Sequence, residues 1–175
     1  AGTDSVVSGL GAVFGALSGG IQISSGADVT LSGGTGSSGF VQIGHGGTDA
    51  DGAVGGAVTV NSGGSVLAGG GTSGCTFAQI GHRVGGAISS VGAAEVVVNA
   101  VDDVVLMAGS ASDSTAKIGH GDHQKTLLSF AENDVTVSAG RNIQLISPQF
   151  GSPTYRSRSS TQIGHGGRMA AVAGG

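Results

Sequence analysis

Four of the five histidines sit in one tripeptide, Ile-Gly-His, at Ile43-Gly44-His45, Ile80-Gly81-His82, Ile118-Gly119-His120 and Ile163-Gly164-His165. The intervals between copies are 37, 38 and 45 residues, too regular to be chance. Equivalent positions in a stacked repeat form a row, so His45, His82, His120 and His165 are expected to make a structural ladder. In such a ladder neutral imidazoles hydrogen-bond turn backbone and neighbouring rings. Imidazoles also bind Zn or Cu, but metal sites converge their ligands on one point rather than along a row. The best local metal cluster is His120, Asp122 and His123, where a second imidazole and a carboxylate join the third copy. A divalent ion there would be the only cofactor; none is otherwise expected. Thr48-Asp49-Ala50-Asp51-Gly52 faintly resembles a calcium loop. It lacks the later Glu of an EF-hand and the tandem nonapeptide of calcium-binding β-rolls.

The remaining polar residues argue against an enzyme. Glycosidases and lyases need an acid and a base paired in one groove. Here the 11 acidic residues are scattered mainly over turn-like segments. Asp102 and Asp103 are adjacent, and in an extended segment they point apart. No nucleophile elbow, phosphate loop or dinucleotide fingerprint lies between a strand and a helix. Cys75, the only cysteine, replaces a Ser/Thr-type residue of the second repeat and has no base beside it, so it reads as a small side chain in the coil. No catalytic residue is assigned.

The elements that position the histidines repeat as well. Ile21 to Leu31 aligns with Val58 to Ala68, Val96 to Leu106 and Val135 to Leu145. From Val29, Val66 and Val104 to the isoleucine of the tripeptide is 14 residues each time, and from Ile143 to Ile163 it is 20. The extra residues fall within Ser147 to Ser160, which holds both prolines, Pro148 and Pro153, and so marks a surface loop. Each repeat has three short segments of period-2 alternation separated by turn residues. Examples are Val135-Thr136-Val137, then Asn142-Ile143-Gln144-Leu145, then Ala78-Gln79-Ile80 with Ala78 and Ile80 inward and Gln79 outward. If the third strand continues past its Gly, parity puts His on the inward side. If the chain bends at Gly, His sits at a corner.

Three strands per repeat, in register, stack into a triangular coil with each strand parallel to its counterpart about 4.8 Å away. Against the rival β-sandwich, the strict register predicts an all-β, right-handed parallel β-helix. Its single domain spans 1–175: an apolar Gly-rich segment at 1–20, then repeats at about 21–57, 58–95, 96–134 and 135–175. Protruding loops are expected at Gly46 to Gly56, Arg83 to Ala94, Gly121 to Asn133 and the fourth-repeat insertion. The handedness rests on the general preference for right-handed crossovers and on the resemblance below.

Composition agrees with a thin, regularly stacked core. Glycine supplies 37 of 175 residues, aromatics 3% and charged residues 10%, while 38% are hydrophobic. The net charge of −4 and the absence of a long basic run argue against nucleic acid. No apolar window is long enough to span a membrane, since Val6 to Leu17 is cut by Gly9, Gly11 and Gly15. The beginning, Ala1-Gly2-Thr3-Asp4, reads as a processed chain or an excised fragment.

The pattern Val-x-Val-x-Ala-Gly-x-x-Ile-x-Leu followed by Gln-Ile-Gly-His-Gly-Gly resembles the repeats of filamentous-haemagglutinin-type adhesins and large autotransporter passengers. The resemblance covers Ile21 to Gly167. It implies a right-handed β-helix secreted by a Gram-negative bacterium, located at the cell surface or outside it, working as an adhesin or exopolymer. It carries over no catalytic residue. The expected function is therefore a stiff rod or fibre segment presenting loops to a cell-surface or polysaccharide receptor. Neither end carries a charged cap, so end-to-end self-association is also expected. The alternative is a metal- or glycan-binding module that uses the histidine face.

Overall fold

The computed structural model describes residues 17–47, 53–84, 90–122, 127–130, 133–147, 158–166 and 171–173. Every regular element among them is a strand. The first side of the coil is a four-stranded parallel sheet of Ile21–Ser25, Val58–Ser62, Val96–Ala100 and Val135–Ala139. The second side stacks Val29–Ser32, Val66–Gly69, Val104–Met107 and Ile143–Ile146. The third stacks Phe40–Ile43, Phe77–Ile80, Thr115–Ile118 and Ser160–Ile163. All three run in chain order, as a parallel β-helix of four coils requires.

The register follows the sequence alignment residue by residue. Ile21, Val58, Val96 and Val135 are partners in turn, as are Ile43, Ile80, Ile118 and Ile163. Ser160 pairs with Thr115, so the longer fourth repeat rejoins the ladder in register. Residues 148–157, which include both prolines, lie outside the described residues.

Period 2 explains the core. Val58, Val60, Val66, Ala68, Ala78 and Ile80 point into the triangle, with their equivalents from the adjoining coils above and below. Each fully buried Val, Leu or Ile contributes roughly 1.5–3 kcal/mol by leaving water. That is a large return for side chains on strands of four or five residues, which could not stand alone.

Two features extend the expected architecture. Three of the segments read as protruding loops contribute Val54–Gly55, Ser90–Val91 and Leu127–Phe130 to a further parallel column, which Leu17–Ser18 and Ala171–Ala173 complete. In addition, Gly46–Gly47 pairs with Arg83–Val84 just after the tripeptide. Between one coil and the next the chain thus adds a short strand to this further column.

Candidate functional site

The chain bends at the tripeptide glycine. Gly81, Gly119 and Gly164 have φ of 130°, 132° and 128°, a region that side-chain-bearing residues rarely adopt. At Gly81 a Cβ would also overlap the carbonyl oxygen of Gly119 in the next coil. The bend turns each histidine out of its strand and into the corner between the third side and the first.

There the four imidazoles stack. Ring centroids are 5.1 Å apart for His45 and His82, 4.8 Å for His82 and His120, and 5.0 Å for His120 and His165. The planes are inclined by only 13°, 17° and 2°. His82 and His120 are wholly shielded from solvent, while His45 and His165 are half-buried.

Each ring closes its own coil. Nε2 of His45, His82, His120 and His165 lies 2.9, 2.8, 2.6 and 2.6 Å from the carbonyl oxygens of Gly19, Gly56, Ala94 and Asn133. Those carbonyls lie just before the first-side strand of the same coil, so the ring spans the corner. Each ring after the first also ties to the coil before it. The backbone N–H of His45 donates to Nδ1 of His82 at 2.9 Å, that of His82 to His120 at 3.0 Å, and that of His120 to His165 at 3.4 Å.

These partners settle the tautomer. A backbone N–H can only donate, so Nδ1 must keep its lone pair; a carbonyl can only accept, so Nε2 must carry the proton. His82, His120 and His165 are therefore neutral Nε2–H imidazoles with both nitrogens engaged. Burial pushes His120 down to about 3, an effect that its bond to Ala94 opposes and the neighbouring His82, His165 and Lys117 reinforce. Burial likewise lowers His82 and His165.

A second row lies behind the histidines. The residue before each tripeptide isoleucine is Gln42, Gln79, Lys117 or Gln162. By parity it belongs to the face opposite the core. Gln79 keeps the outward side of its strand but is buried there rather than exposed. Its Nε2 donates to the carbonyls of His82, Gly119 and Gly121 at 3.1, 2.9 and 3.3 Å. Gln42 and Gln162 make the same bond to the carbonyls of His45 and His165. Lys117 takes the same place with an ammonium, donating to His120 at 2.6 Å, to Gly121 at 3.3 Å and to Gly166. Burial, reinforced by Arg83 and opposed by Asp122, brings Lys117 down to about 7.

Beside this row, Arg83 and Asp122 form a buried ion pair at 3.0 Å, and the guanidinium lies 3.6 Å over the centroid of Phe77. Sequence reading missed the pair, since its members are 39 residues apart and neither belongs to the repeated tripeptide. The signal available was their places relative to it: Arg83 directly follows one copy, and Asp122 stands two residues after the next.

The other candidates form no shared site among the described residues. Of the proposed metal cluster, His120 already engages Ala94 and the His82 amide, and Asp122 engages Arg83. His123 lies outside the described residues, as do Asp49 and Asp51 of the calcium-like loop. Among the described residues no group of three or more His, Cys, Asp or Glu converges on a point. Asp102 and Asp103 were expected to point apart. They sit on a corner instead, and both reach Arg141, at 3.4 and 3.2 Å. Cys75 is exposed and occupies, with Ser38 and Asp113, the one left-handed non-glycine position of the turn between second and third sides.

Comparison of the chain with protein-family models, with curated proteins and with solved structures finds no match. Fold and site are therefore the ground for function: the class they define is a parallel β-helix whose coils are clasped at one corner by a neutral histidine stack.

Proposed function

We propose that this chain is a non-enzymatic structural and adhesive segment of a secreted protein, at the cell surface or outside the cell of a Gram-negative bacterium. In this reading the coil supplies stiffness. The outer excursions face a surface or polysaccharide receptor, and coils of separate copies stack end to end. The resemblance to haemagglutinin-type repeats supports the setting.

The observation that favours self-association is the uncovered fourth coil, a face that a further coil, of this chain or of another copy, would cover. Val135–Ala139, Ile143–Ile146 and Ser160–Ile163 are the outermost strands of their sheets. Ile143 and Leu145, which occupy core positions by register, are 46% and 48% exposed. Their counterparts in the first coil, Val29 and Leu31, are buried. The two ends therefore differ, and a contact between them is head-to-tail and open rather than closed. The metal- or glycan-binding alternative on the histidine face has less behind it, because the ring nitrogens of His82, His120 and His165 already serve the backbone.

Electron microscopy and sedimentation over a concentration series test this reading. Rods should lengthen with concentration, and Leu145→Lys should hold the protein monomeric. A wild type that stays monomeric throughout would remove polymerisation and leave adhesion through the outer loops, measured by retention on immobilised polysaccharides.

A further inference from the structure

We infer that the histidine stack is a proton-operated tie between coils, in which acid breaks the bond that joins each ring to the coil before it and loosens the helix from its outer end inward. The inference is independent of what the rod binds.

The geometry carries it. Each ring holds two different pieces of backbone through two different chemical roles, acceptor at Nδ1 and donor at Nε2. A proton taken from water can enter only at Nδ1, because Nε2 already bears one. It converts the acceptor into a donor aimed at a backbone N–H, so the bonds from His45 to His82, from His82 to His120 and from His120 to His165 are lost as the rings charge. A charged ring also faces parallel neighbours 4.8–5.1 Å away, so two adjacent rings resist being charged together.

The groups around the column sharpen the order of events. Lys117 donates to the carbonyl of His120 itself, and its positive charge disfavours a proton on His120 and on His165. Arg83 adds to it, while the carboxylate of Asp122 is engaged by Arg83. Burial and Lys117 lower His165, its bond to Asn133 and the carboxylate of Asp134 oppose them, and the ring is less buried than His82 and His120. Of the three rings tied through Nδ1, His165 should therefore take its proton first, and His82 and His120 only as the coils part.

The sign follows from linkage. An unfolded histidine takes up its proton near pH 6.5, and the folded inner rings refuse it. Below about pH 6.5 the unfolded chain binds more protons than the folded one, so stability falls as pH falls. Each ring that refuses its proton lowers the folding equilibrium constant tenfold per pH unit.

The test is nitrogen-15 NMR of the imidazoles in the intact chain from pH 7.5 to 4, with amide protection factors measured alongside. His82, His120 and His165 should show the Nε2–H tautomer at pH 7.5. His82 and His120 should stay neutral until the amides of His45, His82 and His120 lose protection, the two changes coinciding. An Nδ1–H tautomer, or titration of the inner rings near pH 6.5 with protection retained, overturns the proposal. Where it folds, the variant with all four histidines changed to Asn should lose the fall in stability between about pH 6.5 and 5; an unchanged fall would also overturn it.

Discussion

Leu106 and Leu145 are partners in one parallel ladder, follow the same local pattern and point into the same core, yet Leu106 is fully buried and Leu145 is 48% exposed. The tripeptide glycines differ in the same way. At Gly81 the next coil's carbonyl occupies the space of a Cβ, whereas at Gly164 nothing lies within 4 Å. On the second side, burial depends on the coil that follows: Leu106 has one and Leu145 does not. Stability is then a sum of neighbour terms, and the third coil differs from the fourth by one missing neighbour.

The glycine pair offers the sharpest way to break that comparison. Both positions have positive φ, so alanine is strained by about 1–3 kcal/mol at either. Only at Gly81 does it also press into backbone, which adds roughly 1–3 kcal/mol of overpacking. Gly81→Ala should thus cost roughly 2–6 kcal/mol and Gly164→Ala about 1–3 kcal/mol, read by denaturant unfolding. Equal losses would mean that the next coil contributes nothing at this corner.

The leucine pair tests the core. Leu106→Ala should cost about 2–5 kcal/mol, and Leu145→Ala roughly 1 kcal/mol, since half of Leu145 is already in water. The comparison should also depend on concentration. If copies stack, Leu145→Ala leaves the monomer nearly unharmed but weakens assembly, whereas Leu106→Ala lowers stability at any concentration.

The smallest effect separates Lys117 from the glutamines of its row. Lys117→Gln restores the amide that Gln79 uses and leaves the Arg83–Asp122 pair electrically balanced. Replacing a buried charge in this way should raise stability by about 1–2 kcal/mol at pH 7. Lys117 titrates at about 7 in the fold and near 10.5 when unfolded. Its penalty is therefore complete below pH 7 and relieved as pH rises toward 10.5, so the gain from Lys117→Gln should shrink by pH 10. A gain that persists would show that the three carbonyls keep the ammonium charged.

Much of this was legible from spacing. The constant 14 residues between Val29, Val66 or Val104 and the following isoleucine placed second and third sides in register. The alternation of Val135-Thr136-Val137 identified an inward face. Less legible was the further column. Pairs such as Val54–Gly55 and Ser90–Val91 are too short and too Gly-rich to show a period.

Alone, then, the sequence determined the strands, their parallel register and the alignment of the four histidines, because period and repeat length are properties of the chain itself. Tertiary structure alone decided what covers each face. Alternation says that Gln79 lies opposite Ile80, but not that the bends after two tripeptides will bury it among three carbonyls. Nor does repetition show that His120 donates to Ala94 while accepting from His82. Those roles depend on which backbone groups arrive at the corner from 26 and 38 residues away. The half-exposed Leu145 follows the same rule, since burial belongs to neighbours in space rather than to the residue's own place in the pattern.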